Sequence, residues 1–229
     1  MGQITKNLEE LHKEIGTAAG KAGRNPEEIK LVAVTKTVEL ERIKEALEAG
    51  VTAVGENRVQ EARSKYEYLP KDIEWHLIGS LQTNKVKQAV SMFDLIHSVD
   101  RMSLAEEISK QSLKMDKIMD ILIQINISGE ESKHGADLAE AEELVRYAAA
   151  LPGIKVKGLM TIAPFVDDPE ETRPVFRGLK RVQEELRAKD IPGVELDYLS
   201  MGMTNDFMVA IEEGANIIRV GSGIFGERN

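Results

Sequence analysis

A lysine at the end of an apolar run is the first candidate for chemistry in this sequence. Lys36 follows residues 31–35, whose pattern predicts a strand that is buried on both faces. At the exit of such a strand the ammonium group faces the mouth of a site, where desolvation lowers its pKa. A neutral lysine amine forms a Schiff base with a carbonyl compound. In the alternative interpretation, Lys36 extends its ammonium group into bulk water.

Two segments near the end of the sequence are candidates for binding a phosphate group. Residues 199–204 and 220–223 each follow a predicted strand. Their small and polar residues include Ser200, Gly221 and Ser222. Glycines let backbone N–H groups approach an anion, and a helix expected to begin near Thr204 or Asn205 would add unsatisfied donors. Alternatively, the glycines only form turns and Thr204 or Asn205 only caps that helix.

A reactive lysine beside a phosphate site suggests pyridoxal 5′-phosphate (PLP), whose aldehyde would bond to Lys36. Arg219 lies one residue before the end of the last predicted strand, where a charge is out of place unless it is paired or faces a ligand. Because arginine stays protonated, it would donate to the pyridine nitrogen and leave the ring a weak electron sink. The alternative is a structural ion pair with Glu212 or Glu227.

Other polar residues give weaker signals. Asn57 opens the helix after the second predicted strand, where it would bind the ring of a cofactor or cap the helix. His76 and His97 lie inside predicted strands and are expected to be satisfied core residues rather than catalytic groups. No histidines and carboxylates have the spacing of metal ligands, so no metal site is predicted.

The elements that must position these residues alternate between apolar runs and helices. Strands are predicted at 31–35, 51–54, 74–78, 94–99, 120–127, 154–160, 194–199 and 216–220. Helices are predicted at 4–22, 39–49, 58–69, 83–92, 102–113, 136–150, 170–188 and 206–213. Eight strands alternating with helices predict an α/β fold, a closed (β/α)8 TIM-type barrel, with a doubly wound open sheet as the competing architecture.

The whole sequence is expected to form one domain, residues 1–229, with an extra leading helix within residues 1–24 packed on the barrel. The polar segment 128–136 is expected to form a loop over the mouth, where Lys133 and His134 would meet a ligand or lie in solvent.

Composition narrows the class of protein. The net charge of −9 without a basic block argues against binding nucleic acid. No apolar stretch approaches the ~20 residues needed to span a membrane. Cysteine is absent, which fits a reducing compartment. We therefore expect a cytoplasmic protein, and a monomer because no apolar surface stripe is evident.

The sequence resembles the pyridoxal phosphate homeostasis protein family along its whole length. The segments that carry the resemblance are AVTKT at 33–37, GENRVQE at 55–61, WHLIGSLQTNK at 75–85, HSVD at 97–100, KHG at 133–135, GLMTIAP at 158–164, LSMGMTNDFMVAI at 199–211 and IRVGSGIFGER at 218–228. This family looks like the barrel domain of alanine racemase standing alone.

The resemblance implies a Schiff base between PLP and Lys36, with Arg219 near the ring nitrogen. It also implies phosphate contacts from Ser200 and from the turn formed by Gly221 and Ser222. On the same grounds, the residues lining the rest of the pocket would be Asn57, His76 and Met160.

Three functions are considered. The first is a PLP-binding protein that buffers the cofactor or delivers it to PLP-requiring apoenzymes without efficient catalysis. The second is a weak or specialised PLP-dependent amino-acid racemase. Alanine racemase uses a tyrosine from a second domain as its other base, and we expect that domain to be missing because the sequence stops at Asn229. The third is a Schiff-base aldolase that acts on a sugar phosphate without a cofactor.

Overall fold

The structure, a computed structural model, describes residues 2–130 and 134–227. Within these residues there are nine strands, all with parallel neighbours: β1 (Lys30–Val34), β2 (Ala53–Glu56), β3 (Glu74–Leu77), β4 (Leu95–Val99), β5 (Met119–Asn126), β6 (Ala136–Asp137), β7 (Ile154–Met160), β8 (Val194–Met203) and β9 (Ile217–Val220). The helices are α1 (Gln3–Lys21), α2 (Leu40–Glu48), α3 (Val59–Tyr66), α4 (Val86–Met92), α5 (Met102–Lys114), α6 (Ala141–Ala150), α7 (Arg173–Arg187), α8 (Phe207–Glu212) and α9 (Ser222–Phe225).

The sheet closes on itself. β1 pairs with both β2 and β9, and β4 pairs with β5, so every strand except the two-residue β6 has a neighbour on each side. Eight parallel strands surrounded by helices form a (β/α)8 barrel. The predicted barrel is therefore confirmed, and the open-sheet alternative is wrong.

Alternating side chains divide the core into two layers. Ala33 and Val54 pack outward against the helices, whereas the interior of the barrel contains its own apolar cluster. That inner cluster comprises Val32, Ala53, Leu95, Leu122, Met160 and Ile217. Inward-facing residues at the carboxyl ends of the strands therefore line the mouth, where barrels of this class carry their sites.

The extra leading helix is present as α1. Its buried residues Ile4, Leu8, Leu11 and Ile15 recur at helical spacing and form one apolar face. That face packs against α2, α8 and α9, which belong to the outer helical layer. Among the described residues, no helix combines the length and the apolarity needed to cross a membrane.

Two predicted helix starts are wrong: the start near Thr204 or Asn205, and the start at 136. β8 continues to Met203, and α8 begins only at Phe207, because the Asp206 carboxylate accepts the Met203 N–H at 2.6 Å and closes a turn before the helix. Thr204 therefore lies in that turn rather than capping a helix. Similarly, α6 does not begin at 136, because that residue pairs with β5 as part of β6.

The predicted loop over the mouth is described only in part. Lys133 lies outside the described residues. The carbonyl of the exposed His134 accepts a hydrogen bond of 3.0 Å from Gln124 Nε2, which attaches this end of the segment to β5.

Candidate functional site

Lys36 lies two residues beyond β1, at the carboxyl-terminal mouth of the barrel. It is half-buried, and it follows by four residues Val32, which is inside the barrel, so continued strand alternation would direct it to the same side. The next residue, Thr37, has a φ of 61°, so the chain turns sharply directly after the lysine. The Thr37 N–H donates to the Glu61 carboxylate, which fixes this unusual backbone conformation.

A buried ionic cluster supports the same turn from behind. Lys65 Nζ donates to the Thr35 carbonyl and to Glu56 Oε1, both at 2.8 Å, and to Glu61 Oε1 at 2.9 Å. Burial raises the pKa of the fully buried Glu56 carboxyl. The cluster thus holds the backbone immediately before Lys36. The sequence prediction did not include it, although Glu61 and Lys65, four residues apart on α3, were a signal.

The turn after β9 lies beside the end of β1, which carries Lys36. The register of β1 and β9 pairs Ala33 with Val220, which brings Gly221 beside Val34. A Cβ atom on Gly221 would lie only 3.4 Å from Val34 Cβ. Lys36 and the glycine turn therefore emerge at the same part of the mouth.

Thr204 completes this turn. Its Oγ1 atom accepts hydrogen bonds from the backbone N–H groups of Gly221 and Gly223, each at 3.4 Å, and from the Ser222 hydroxyl at 3.2 Å. Three donors from the β9 turn thus converge on one hydroxyl oxygen. This is the donor set that an anion requires. The sequence analysis included Thr204 in the candidate phosphate segment as the start or cap of a helix, and did not predict a contact from its hydroxyl.

Arg219 is buried inside the barrel. Its guanidinium donates to Ser200 Oγ at 2.5 Å and to the Thr161 carbonyl at 2.9 Å. Within residues 2–130 and 134–227 no carboxylate forms an ion pair with it, and Glu212 instead pairs with Arg173 at 2.7 Å. The alternative of a structural ion pair is therefore wrong for these residues. Burial lowers the pKa of Arg219 to about 10.

Ser200 lies deeper in the barrel than the glycine turn. It pairs with Ile217, four residues before Gly221, which corresponds to about 13 Å along a strand. Its hydroxyl is engaged with Arg219 and with His97 Nδ1, the latter at 2.8 Å. The structure therefore groups Ser200 with the arginine and not with the other expected phosphate contacts.

A chain of hydrogen bonds continues from Ser200 through two buried histidines. His97 Nε2 lies 2.9 Å from His76 Nδ1, and His76 Nε2 lies 3.1 Å from Glu74 Oε2. Glu74 also accepts from Lys30. Hydrogen bonds from His76 and then from Lys30 lower the pKa of Glu74 to about 2, so it is an ionised acceptor.

The direction of every bond in this chain follows from the ionised Glu74. Burial lowers the pKa of His76 and lowers that of His97 further, so both rings are neutral. His76 must then donate from Nε2 and accept at Nδ1. His97 accordingly donates from Nε2 and accepts the Ser200 hydroxyl proton at Nδ1.

These two histidines predict a pH dependence of stability. Their pKa values are lowered in the folded state, so below about pH 6.5 the unfolded chain binds more protons than the folded one. The free energy of unfolding should therefore fall as the pH drops below about 6.5, by up to about 1.4 kcal/mol per pH unit for each histidine. Urea denaturation at a series of pH values measures this slope.

Two variants can be compared. His97→Gln changes a member of the hydrogen-bond chain, and His12→Gln makes the same substitution on the exposed surface of α1. We expect the first to reduce the slope and the second to leave it unchanged. An identical slope in the parent protein and the His97→Gln variant would contradict the neutral, buried state of His97.

Comparison with known proteins identifies the family. The model of the alanine racemase N-terminal domain family matches residues 6–229. A pyridoxal phosphate homeostasis protein from Aquifex aeolicus is 47% identical over 227 residues, covering 99% of this chain and 97% of the relative. The chain belongs to the pyridoxal phosphate homeostasis protein family. The resemblance seen in the sequence is confirmed.

Solved structures agree with this membership. The PipY protein of Synechococcus elongatus, solved with PLP bound, is 35% identical with a TM-score of 0.86, and the match covers 98% of this chain and 100% of PipY. A protein from Bifidobacterium adolescentis is 36% identical with a TM-score of 0.90, covering 97% of this chain and 94% of that one.

In this homeostasis-family barrel, Asn57 and Met160 differ in their exposure. Asn57 is half-buried just beyond β2, and α3 starts at Val59 with Arg58 as its N-cap, so the alternative that Asn57 caps this helix is wrong. Met160 is fully buried at the end of β7 and belongs to the inner cluster. No group of three or more potential metal-binding side chains occurs among the described residues.

Proposed function

We propose that this protein binds PLP as a Schiff base on Lys36 and acts in PLP homeostasis, buffering the cofactor or delivering it to apoenzymes without efficient catalysis. One observation carries the proposal. Lys36, Arg219 and the turn in which Thr204 contacts Gly221 and Gly223 converge at the carboxyl-terminal mouth of the barrel. PipY, a full-length relative solved with PLP bound, supports the same ligand.

The described residues fit the phosphate group. The backbone N–H groups of Gly221 and Gly223 and the Ser222 hydroxyl already converge on the Thr204 hydroxyl, which is itself a further donor. A Cβ atom on Gly223 would lie 2.9 Å from Val220 Cγ1, so a larger residue would displace the turn. The site thus offers four neutral donors on a turn that a residue larger than glycine at position 223 would displace.

Arg219 fits the other end of the ligand. Its hydrogen bonds to Ser200 and Thr161 use two of its five N–H donors, and further donation to the pyridine nitrogen would keep that nitrogen unprotonated. When bound, PLP supplies an electrophilic carbonyl and an electron sink. An arginine partner in place of an acidic one weakens that sink, which favours holding the cofactor over turnover.

Racemase activity is the second candidate, because the family model that matches is that of an alanine racemase domain. Racemisation needs an acid or base on each face of the substrate. Tyr66 packs on Trp75, Tyr147 donates to Glu106, and Tyr198 lies between two lysines. These contacts occupy three of the four tyrosines away from Lys36, so the observed geometry favours the binding role.

The test is reduction of the PLP-loaded protein with borohydride, followed by peptide mass spectrometry. We expect one reduced adduct, on the peptide that contains Lys36. An adduct on a different lysine, or none, would overturn the proposed site. Incubating the loaded protein with L-alanine and measuring D-alanine then separates the two functions, since rapid racemisation would overturn the non-catalytic role.

A further inference from the structure

We propose that the hydrogen-bond chain Glu74–His76–His97–Ser200 positions Arg219 and couples the amino-terminal mouth of the barrel to the ring of the bound cofactor. The proposal rests on the proposed function, because it takes Arg219 as the group that faces the ring nitrogen. His76 and His97 are then positioning residues: they act through Ser200 and Arg219.

The chain crosses the interior of the barrel. Glu74 is the first residue of β3, and its carboxylate accepts from Lys30, the first residue of β1, so this end lies at the amino-terminal mouth. The chain then passes through side chains on β3, β4, β8 and β9, with links of 3.1, 2.9, 2.8 and 2.5 Å. His76, His97, Ser200 and Arg219 are each no more than 3% exposed.

Arg219 makes this chain more than a satisfied polar core. A buried cation normally pairs with a carboxylate, but the Arg219 guanidinium donates to the hydroxyl oxygen of Ser200 and the carbonyl oxygen of Thr161. The Ser200 hydroxyl is in turn committed to His97. Asp206 in the turn after β8 is the carboxylate whose charge acts on Arg219 through space, without a hydrogen bond between them. Along the hydrogen-bond chain itself, the negative charge is Glu74, three links beyond Ser200.

The polarity of the chain suits this task. Every hydroxyl or ring N–H in it points toward Glu74, and every accepting lone pair points toward Arg219. Aligned hydrogen bonds polarise one another in a low-dielectric interior, so the Ser200 oxygen becomes a better acceptor for the guanidinium. Interrupting the chain at His97 would remove the acceptor of the Ser200 proton, so the oxygen that Arg219 contacts would no longer be fixed by a second hydrogen bond.

A purely structural role does not require such an arrangement. The neighbouring interior positions are filled by apolar residues, and well-packed apolar side chains commonly replace buried polar networks without loss of stability. Positioning of the arginine, in contrast, requires a polar chain that reaches it. This chain begins at the partly exposed Glu74 and ends on Arg219.

The first test uses the cofactor-free protein, labelled with 15N in its histidine rings. Long-range NMR should show His76 and His97 neutral, each with its proton on Nε2. A proton on Nδ1 of either ring would overturn the chain as described. Adding PLP should then shift the 15N signals of both rings, whereas those of the exposed His12 should not move. Unmoved His76 and His97 signals in PLP-loaded protein would overturn the coupling.

The second test compares two variants at the central link. In His97→Gln the amide can accept from Ser200 and donate to His76, so the direction is kept; in His97→Leu the chain is broken. We expect His97→Leu to weaken PLP binding about tenfold and to shift the absorption maximum of the bound cofactor, and His97→Gln to restore both to near the parent values. A folded leucine variant identical to the parent protein, or a glutamine variant as impaired as the leucine one, would overturn the proposal.

Should His97→Leu fail to fold, Glu74→Gln tests the far end, where the side chain is partly exposed. Loss of the carboxylate charge should shift the cofactor spectrum, and an unchanged spectrum would contradict the coupling. Failure of the proposed function has a different signature. In that case borohydride traps no PLP on Lys36, while the ring protonation in the cofactor-free protein still decides whether the chain exists.

Discussion

Lys36→Ala should abolish covalent attachment of PLP while the barrel stays folded. The amine is the atom that would form the bond, and alanine has no nucleophile to replace it. The side chain is half-buried at the rim and outside the apolar clusters of the core, so its removal should change the free energy of unfolding only slightly. Borohydride reduction followed by intact and peptide mass measures the adduct, and urea denaturation measures the stability.

The control for this variant is Lys87→Ala, an equal truncation at an exposed position on α4. It should keep the adduct and the visible absorbance of the parent protein. If the Lys36→Ala protein still carried a reduced adduct and kept that absorbance, another lysine would hold the cofactor and the assignment would be wrong.

Thr204→Val should weaken PLP binding by about ten- to a hundredfold, the range expected for losing a hydrogen bond to a charged group. Valine has nearly the same shape but lacks the oxygen on which the N–H groups of Gly221 and Gly223 converge. The loss should be specific to the phosphate. Binding of pyridoxal, which has the same ring and aldehyde without the phosphate, should therefore change little. Equilibrium dialysis with each ligand measures both affinities.

Thr17→Val, at an exposed position on α1, provides the same substitution away from the mouth. It should bind both ligands like the parent protein. An equal loss of PLP and pyridoxal binding in the Thr204→Val variant would indicate a distorted turn and not a lost phosphate contact. Unchanged binding of PLP would remove Thr204 from the site.

The two proposed ends of the ligand place different demands on the protein. At the turn after β9, neutral N–H and hydroxyl donors surround the expected position of the phosphate, and a Cβ on Gly223 would clash with Val220 and displace the turn. At the other end, a single buried cation is held by uncharged oxygen atoms. The first arrangement provides affinity, and the second limits the chemistry that the bound ring can support.

Much of the fold could be predicted from the sequence because its signals are local. Apolar runs of strand length, alternating with helices of amphipathic period, predict parallel strands and crossover helices, and eight such strands close a barrel. Lys36 was recognisable for the same reason, since it follows a buried strand directly and barrel sites form at strand ends. The helix start near Thr204 was predicted wrongly, because β8 runs on through Gly202, whose φ of 91° is not visible in the sequence pattern.

The sequence by itself thus determined the barrel, the family and the lysine. Only the tertiary structure decided which residues share the site with that lysine: Thr204 joins the turn after β9, Ser200 joins Arg219, and His76 and His97 link Ser200 to Glu74. These contacts join residues as far apart as 103 positions, as between His97 and Ser200. The depth of each side chain depends on strand register around a closed sheet, and register is set by all the strands together.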